Sequence, residues 1–114
     1  MKMQELYESA GQAAALMRSL ASEKRLMLLC QLVNGEKSVG ELCEALDIPQ
    51  TNASQQLAVL RREGLVKTRR DGQTIYYSLA GEEGRRVIEV LYEIYCCRPG
   101  TKPKAGRGTR KSAR

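Results

Sequence analysis

The most reactive side chains in this 114-residue sequence are four cysteines, and the chain contains no histidine. They stand at Cys30, Cys43, Cys96 and Cys97. No pair has the CxxC spacing, and a mixed Cys/His zinc site is impossible without histidine. Structural disulfides are not expected in a reducing compartment. The remaining reactive possibility is thiol redox chemistry, in which one thiolate attacks a persulfide or is oxidised and a second thiol resolves the product into a bridge. A single cysteine on an apolar helix face is otherwise simply a small buried hydrophobe.

A second chemically informative stretch runs from Pro49 to Gly64. Ala53, Leu57 and Leu60 recur there at helical spacing, which predicts a helix with one buried face. Amides and hydroxyls crowd its first half, and these groups read base edges in the DNA major groove. Such a helix is by itself more often an ordinary solvated surface helix. The residues predicted to contact bases or nearby backbone are Gln50, Thr51, Asn52, Ser54 and Gln55.

The residues before this helix predict a helix-turn-helix. Ser38 and Glu41 have capping-box spacing and open a short helix that extends to Leu46. Residues 47–49 then form a turn, since Pro49 cannot continue the preceding helix but can open the next one. Two short helices joined by a tight turn, the second beginning with polar residues, favour DNA binding.

A β-hairpin, or wing, is predicted directly after the second helix. Residues 65–70 and 73–79 flank Asp71-Gly72, a strong two-residue hairpin signal. This turn predicts the cross-strand pairs Thr68–Ile75, Val66–Tyr77, Arg69–Thr74 and Lys67–Tyr76. The first two pairs would face the core, and the other two would form a basic, polar face. The predicted phosphate or minor-groove contacts are Arg61, Arg62, Arg69, Arg70 and Thr74.

The remaining elements are helices on either side of this unit. One is predicted over residues 4–20, a second from the cap at Ser22 to Asn34-Gly35, and a last one over residues 81–97. In so short a chain the first and last helices have few other surfaces to cover, so both are candidates for a dimer interface. The fold class predicted is α+β, mainly α: a winged helix-turn-helix with a two-stranded wing and flanking N- and C-terminal helices forming a dimer. In the first helix, one side is predicted to be apolar and to suit either a dimer contact or a core contact: Leu6, Ala10, Ala13, Ala14, Met17 and Leu20. The apolar stripes predicted on the other two helices are Leu26, Leu29, Cys30 and Val33 in the second, and Val87, Leu91, Ile94 and Tyr95 facing inward in the last, with Ile88 and Tyr92 broadening that stripe.

The net charge of +6 is concentrated at the C-terminus. Residues 98–114 hold seven basic side chains and no acidic one, whereas residues 1–97 hold twelve basic against thirteen acidic. We therefore expect a DNA-binding and dimerisation domain over residues 1–97 and a disordered basic tail over 98–114, which either adds non-specific DNA affinity or is a solvated end. No apolar run approaches a membrane span and no secretion signal is present, so a cytoplasmic protein is expected.

The order of these elements resembles the arsenic-repressor (ArsR/SmtB) family of winged-helix transcription factors. The resemblance rests on Ser38-Val-Gly-Glu-Leu42, on residues 53–66 and on residues 71–79, and it extends from about Leu16 to Cys97. It implies a homodimer, not an enzyme, that represses promoters by binding double-stranded operator DNA with an inverted repeat and lets go when an inducer binds. Gln56 stands where the family usually has histidine.

The cysteine positions resemble one branch of that family. Residues 25–30 and 91–96 look like the two cysteine segments of the HlyU, BigR and SqrR type, in which oxidants or persulfides link a cysteine on the second helix to one on the last. The resemblance implies a regulatory dithiol of Cys30 and Cys96, with a reactive sulfur species or oxidant as inducer and no cofactor. Cys97 is the alternative to Cys96, and Cys43 is expected to be a core residue.

The sequence is also compatible with other functions. A thiolate-based metal or arsenical sensor on the same fold is the nearest rival, although Ser38 and Gly40 occupy the usual Cys-x-Cys positions of the metal-sensing members. Cys43 falls where a further arsenic-repressor cysteine lies. A thiol oxidoreductase would need turnover of a dithiol substrate, and a protein-interaction module would be favoured by failure to bind promoter DNA.

Overall fold

The computed structural model describes residues 1–96, so Cys97 and the tail predicted at 98–114 lie outside the described part of the chain. The elements are α1 (Met3–Glu8), α2 (Ala10–Leu20), α3 (Glu23–Leu32), β1 (Lys37–Ser38), α4 (Val39–Leu46), α5 (Gln50–Arg62), β2 (Val66–Asp71), β3 (Thr74–Leu79) and α6 (Glu83–Cys96). This mainly helical architecture with a small antiparallel sheet confirms the predicted fold class. No helix within residues 1–96 is both long and apolar enough to cross a membrane.

Local capping signals in the sequence define several helix ends. The Ser22 hydroxyl accepts a hydrogen bond from the Arg25 N–H at the start of α3. Ser38 and Glu41 form the predicted capping box at the start of α4, with each side chain accepting from the other residue's backbone N–H. Gly64 follows α5 with a φ of +81°, a conformation that glycine adopts without strain. These short-range interactions are why the middle of the chain was predictable.

The N-terminal helix is broken, which corrects the prediction of one helix over residues 4–20. The break falls at Ser9, between α1 and α2, near Gly11, and both residue types are weaker helix formers than alanine. No residue of α1 is buried, and in α2 only Ser19 and Leu20 are. Most of the apolar stripe predicted on this segment is therefore exposed in a single chain: Leu6, Ala10, Ala13, Ala14 and Met17.

The core is built around α3. Leu28, Leu29 and Leu32 are almost fully buried there, together with Leu42 of α4 and Leu57 of α5. Each such side chain contributes about 1.5–3 kcal/mol when it leaves water. Leu28 and Leu32 fall outside the predicted stripe because α3 packs against α2, α4, α5, α6 and β3, so its apolar surface wraps around most of the helix.

The sheet has the order β1-β3-β2, and all neighbours are antiparallel. The predicted hairpin register is wrong. Asp71 pairs with Thr74, so the turn residues are Gly72 and Gln73, and of these only Gly72 has a positive φ, +66°. The observed pairs are Val66–Leu79, Lys67–Ser78, Thr68–Tyr77, Arg69–Tyr76 and Arg70–Ile75.

The register error has a simple physical origin. Asp-Gly and Gly-Gln are both acceptable turn centres, but glycine at the first position suits turns in which only that residue needs positive φ. The observed partners on β3 lie two residues beyond the predicted ones, and a shift of two keeps each side chain on its face. Val66 is accordingly buried while Lys67 and Arg69 are exposed, as predicted, and Leu79, the observed partner of Val66, is buried as well. Strand β1 was not predicted because two residues are too short to show an alternating pattern.

Helix α6 packs mainly against α3. Its buried residues are Gly84 and Ile88. Ile94 and Tyr95 were predicted to face inward, but they are 42% and 75% exposed. Since a single helix lies beneath α6, only a narrow stripe of its apolar surface is covered within one chain.

Candidate nucleic-acid interface and thiol pair

One face of α5 is held by the core and the opposite face is polar and open. Ala53, Leu57 and Leu60 are completely buried. The left-handed residue Asp47, with a φ of +55°, closes the turn between α4 and α5. Six of the predicted DNA-contacting residues lie on the exposed side of α5: Gln50, Thr51, Ser54, Gln55, Arg61 and Arg62.

Asn52 lies on the flank of α5 and not on its open face. The residue is half-buried, and its Oδ1 atom is buried without a hydrogen-bond partner. A buried, unpaired amide oxygen costs free energy, which makes Asn52 the predicted DNA contact whose position least resembles that of a base-reading residue.

The predicted DNA contacts of the wing differ in their surroundings. Arg70 and Thr74 are exposed near the hairpin turn. Arg69 is bound within the chain: its Nε and Nη2 atoms donate to the two carboxylate oxygens of Glu36 at 3.1 and 2.5 Å, and its guanidinium lies 4.9 Å from the centre of the Tyr76 ring. This hydrogen-bonded ion pair lowers the pKa of Glu36 and raises that of Arg69. Sequence reasoning missed it because the partners are 33 residues apart.

Cys30 and Cys96 line the same groove between α3 and α6. Leu26, Met27 and Tyr92 line it with them. Cys30 is half-buried and Cys96 is exposed. Burial raises the pKa of the Cys30 thiol, and the negative charge of the Cys96 thiolate raises it further. The fold therefore brings together the two cysteines that the resemblance implied.

Cys43 lies elsewhere. It is a half-buried residue of α4 and does not line this groove. Across residues 1–96, no three Cys, Asp or Glu side chains gather in an arrangement that would hold a metal ion.

Two arginines that no motif predicted hold helices together. Arg85 of α6 donates from Nη1 to the carbonyl of Val33 at the end of α3, at 3.0 Å. Arg25 of α3 donates to backbone carbonyls of α2 and to the side chain of Gln56 in α5. The only sequence signal for Arg25 was its place in the segment 25–30 that carries the family resemblance.

The tight α4–α5 turn, the open polar face of α5 and the β2–β3 hairpin behind it define a winged helix-turn-helix protein. Comparison with known proteins agrees: residues 22–68 match the model of bacterial regulatory proteins of the arsR family. The chain is 44% identical over 96 residues to the transcriptional activator HlyU of Vibrio cholerae, covering 84% of this chain and 89% of that protein. The chain belongs to the ArsR family of transcriptional regulators, as the sequence predicted.

Solved structures give the same result. The transcriptional repressor BigR from Xylella fastidiosa has a TM-score of 0.82 and 41% identity, with 86% of this chain and 100% of that chain covered. The homodimeric winged helix-turn-helix domain of Mb0332 from Mycobacterium bovis has a TM-score of 0.69 and 33% identity, with 77% and 82% covered. The similarity to HlyU and BigR confirms the branch of the family that the cysteine segments resembled.

Proposed function

We propose that the protein is a homodimeric repressor that binds an inverted-repeat operator and releases it when Cys30 and Cys96 are bridged by an oxidant or a reactive sulfur species. The observation that carries the proposal is the groove between α3 and α6, which two thiols from different helices line together. A bridge between them joins two elements whose packing otherwise depends on non-covalent contacts.

An exposed apolar surface supports the homodimer. Exposed large apolar side chains occur on α1 and α2, including Leu6 and Met17, and on α6, including Val90 and Ile94. A surface of this kind on one chain usually marks a protein–protein contact. The Mb0332 domain, of similar fold, is homodimeric.

The proposed switch follows from the double role of α6. The same helix carries Cys96 and part of the exposed apolar surface. If α6 shifts against α3, the partner chain shifts with it, and so does the distance between the two copies of α5. Two recognition helices must match half-sites about one DNA turn apart, so a small shift lowers operator affinity.

With a persulfide, RSSH, as the inducer, the bridge forms in two steps. The exposed Cys96 thiolate attacks the terminal sulfur, the S–S bond breaks, and the leaving RS⁻ takes up a proton. The Cys30 thiolate then attacks the Sγ of the Cys96 persulfide and expels HS⁻, which leaves a disulfide. The two cysteine sulfurs lose two electrons in total, and the transferred sulfur leaves reduced as sulfide.

Repression is the proposed direction of control. HlyU is named an activator and BigR a repressor. BigR, whose structure has a TM-score of 0.82 with this chain, is the repressor of the two, and a dimer bound across promoter DNA blocks access to it. The residues proposed to contact DNA remain Gln50, Thr51, Asn52, Ser54, Gln55, Arg61, Arg62, Arg69, Arg70 and Thr74.

Fluorescence anisotropy tests the proposal with a duplex that the reduced protein selects from a random-sequence library. We expect a selected inverted repeat, loss of binding after treatment with a small-molecule persulfide, and recovery after dithiothreitol. If no duplex is enriched, a protein-interaction module is favoured. If arsenite or a thiophilic metal ion releases DNA and persulfide does not, the metal-sensing rival is favoured.

The Glu36–Arg69 ion pair yields a separate prediction about the wing. Replacing Glu36 with glutamine removes the carboxylate that holds Arg69, so the guanidinium becomes available to phosphate. Operator affinity at low salt should rise about threefold, and the slope of log K against log salt concentration should steepen by about one. Glu44→Gln, which removes the same charge from an exposed position of α4, should leave the slope unchanged. An unchanged slope for Glu36→Gln would show that Arg69 does not reach DNA.

The pKa of Cys30 yields another prediction. Because that pKa is raised, less thiolate exists at any given pH, and alkylation of Cys30 should reach half its maximal rate above the ordinary thiol pKa. Cys96→Ser removes the second cause of the shift and leaves burial in place, so the midpoint should fall but stay above the ordinary value. Iodoacetamide labelling across pH, followed on the tryptic peptide 26–37, measures it. Cys43→Ser should leave the midpoint where it is, and an unmoved midpoint in Cys96→Ser would contradict the electrostatic contact.

A further inference from the structure

Arg25 joins three helices through its guanidinium. Its Nε atom donates to the Ser19 carbonyl at 2.8 Å and its Nη2 atom to the Arg18 carbonyl at 3.3 Å, both in the last turn of α2. Its Nη1 atom donates to Oε1 of Gln56 in α5, at 3.3 Å. Arg25 itself lies in the first turn of α3, so one planar group bonds α2 to the recognition helix.

The contacts with α2 are of a favourable type. The last carbonyls of a helix lack the usual partner four residues on and carry partial negative charge, which favours a guanidinium. The Arg18 carbonyl also accepts a hydrogen bond from the Ala21 N–H at 3.2 Å. A second connection lies beside the first: the Ser19 hydroxyl donates to Glu63, the residue that ends α5. Ser19 is only 5% exposed and is the one buried polar residue of the described chain. The middle of α5 and its end are thus both hydrogen-bonded to α2 or to the arginine that caps it.

These polar contacts fix the orientation of α5, which the apolar contacts of the core do not. Ala53, Leu57 and Leu60 attach α5 to the core through apolar contacts, which are strong but have no preferred direction. A guanidinium bonds in a fixed plane, and its hydrogen bonds are directional. Loss of the Arg25 contacts would therefore let α5 change its orientation while it stays attached.

We propose that Arg25 is a positioning residue that sets the orientation of α5 relative to α2 and, through it, the operator spacing that the dimer accepts. The inference rests on the proposed function, since it takes α2 to belong to the dimer surface. Gln56 is the residue through which Arg25 acts on α5. Specificity for half-site spacing is then built into the interior contacts of the protein as well as into its DNA-facing side chains.

The test compares binding to three duplexes: the one selected by the unmodified full-length protein, and two versions with one base pair inserted or removed between the half-sites. Arg25→Met removes the donors and keeps an apolar stem. Its preference for the selected duplex over the respaced ones should fall about tenfold, the effect of losing charge-assisted hydrogen bonds. Its affinity for an unrelated duplex should stay within about twofold, because phosphate contacts are unaffected. Arg25→Lys, which can still donate to a carbonyl, should recover part of the preference.

Lys24→Met is the matched control, because it removes one positive charge from the neighbouring exposed position of α3. It should keep the full spacing preference. The inference is overturned if Arg25→Met keeps the preference too, or if it weakens binding to all duplexes equally in parallel with its melting temperature. Should Arg25→Met fail to fold, Gln56→Met cuts the contact with α5 alone: a reduced preference supports the inference and an unchanged one overturns it. If the unmodified protein itself shows no spacing preference, the proposed function fails, which is a distinct result.

Discussion

Replacement of Cys30 by serine is expected to abolish persulfide-induced release of the operator while leaving operator binding by the reduced protein unchanged. Serine keeps the size of the side chain but cannot form a sulfur bridge, and Cys30 lies on α3, away from the exposed face of α5. Coupling between an effector and a ligand site is typically 5–150-fold in affinity. Persulfide treatment should lower the operator affinity of the unmodified protein by about tenfold to a hundredfold. It should lower that of Cys30→Ser by less than about twofold, as measured by anisotropy.

The control for this experiment is Cys43→Ser. Cys43 is also half-buried, but it lies on α4 and does not line the groove between α3 and α6. It should respond to persulfide as the unmodified protein does. Release of DNA from Cys30→Ser at the unmodified level would mean that another cysteine carries the response, and the dithiol mechanism would be wrong.

The second large effect is expected from Ile94→Glu. Ile94 is 42% exposed on α6 and forms part of the apolar surface proposed to meet the partner chain. A carboxylate buried without a partner in an apolar interface is strongly unfavourable, so the dimer should dissociate at micromolar concentrations. Operator affinity should fall by at least about a hundredfold, because each monomer contacts a single half-site. Sedimentation velocity and anisotropy measure the two consequences on the same samples.

The matched control changes a charge on another side of the helix. Glu89→Lys alters an exposed, already charged position of α6, five residues before Ile94 and about 140° around the helix from it. This variant should remain a dimer. A dimeric Ile94→Glu protein with normal operator affinity would show that α6 is not at the interface.

The parts of the fold that the sequence predicted well depend on interactions between near neighbours. The capping box of Ser38 and Glu41, the helical spacing of Ala53, Leu57 and Leu60, and the termination of α5 near Gly64 all lie within one or two helical turns. Local geometry determines such features, and no contact with the rest of the fold opposed them. The helix positions and the open face of α5 could therefore be predicted from the sequence.

The errors arose where two local solutions have similar energy or where a distant contact decides. Asp71-Gly72 and Gly72-Gln73 can each form the hairpin turn, and packing of Leu79 opposite Val66 accompanies the second. The stripe from Leu6 to Met17 suited either a core contact or a dimer contact, and these residues are exposed within the described chain. An amphipathic pattern shows that a face avoids water without showing whether the cover belongs to the same chain.

The polar contacts that matter most to the site were not visible in the sequence. Glu36 with Arg69 and Arg25 with Gln56 are each joined across more than 30 residues. Both involve arginines, whose long side chains reach partners on other elements, so sequence spacing gives no indication of the partner. This is why Arg69 was predicted as a simple phosphate contact when it also has an internal partner.

In the proposed mechanism, different parts of the chain bind DNA and respond to the inducer. Its DNA-facing candidates lie on α5 and the wing, whereas the two thiols lie on α3 and α6. Arg25 and Arg85 connect these regions through hydrogen bonds to α2, α5 and the end of α3. In the proposed mechanism a chemical change at the groove reaches the operator through helix packing and not through any change in α5 itself.

The most direct test of the dithiol switch is peptide mass spectrometry on protein recovered from a persulfide titration in which operator release is followed at the same time. Trypsin leaves Cys30 on peptide 26–37, Cys43 on 38–61, and Cys96 with Cys97 on 87–104, so a bridge is identified by which peptides are joined, and fragment ions separate Cys96 from Cys97. We predict that the peptides 26–37 and 87–104 become joined through Cys30 and Cys96, in proportion to the fraction of operator released. Full release while Cys30 and Cys96 both remain open to alkylation would contradict the account.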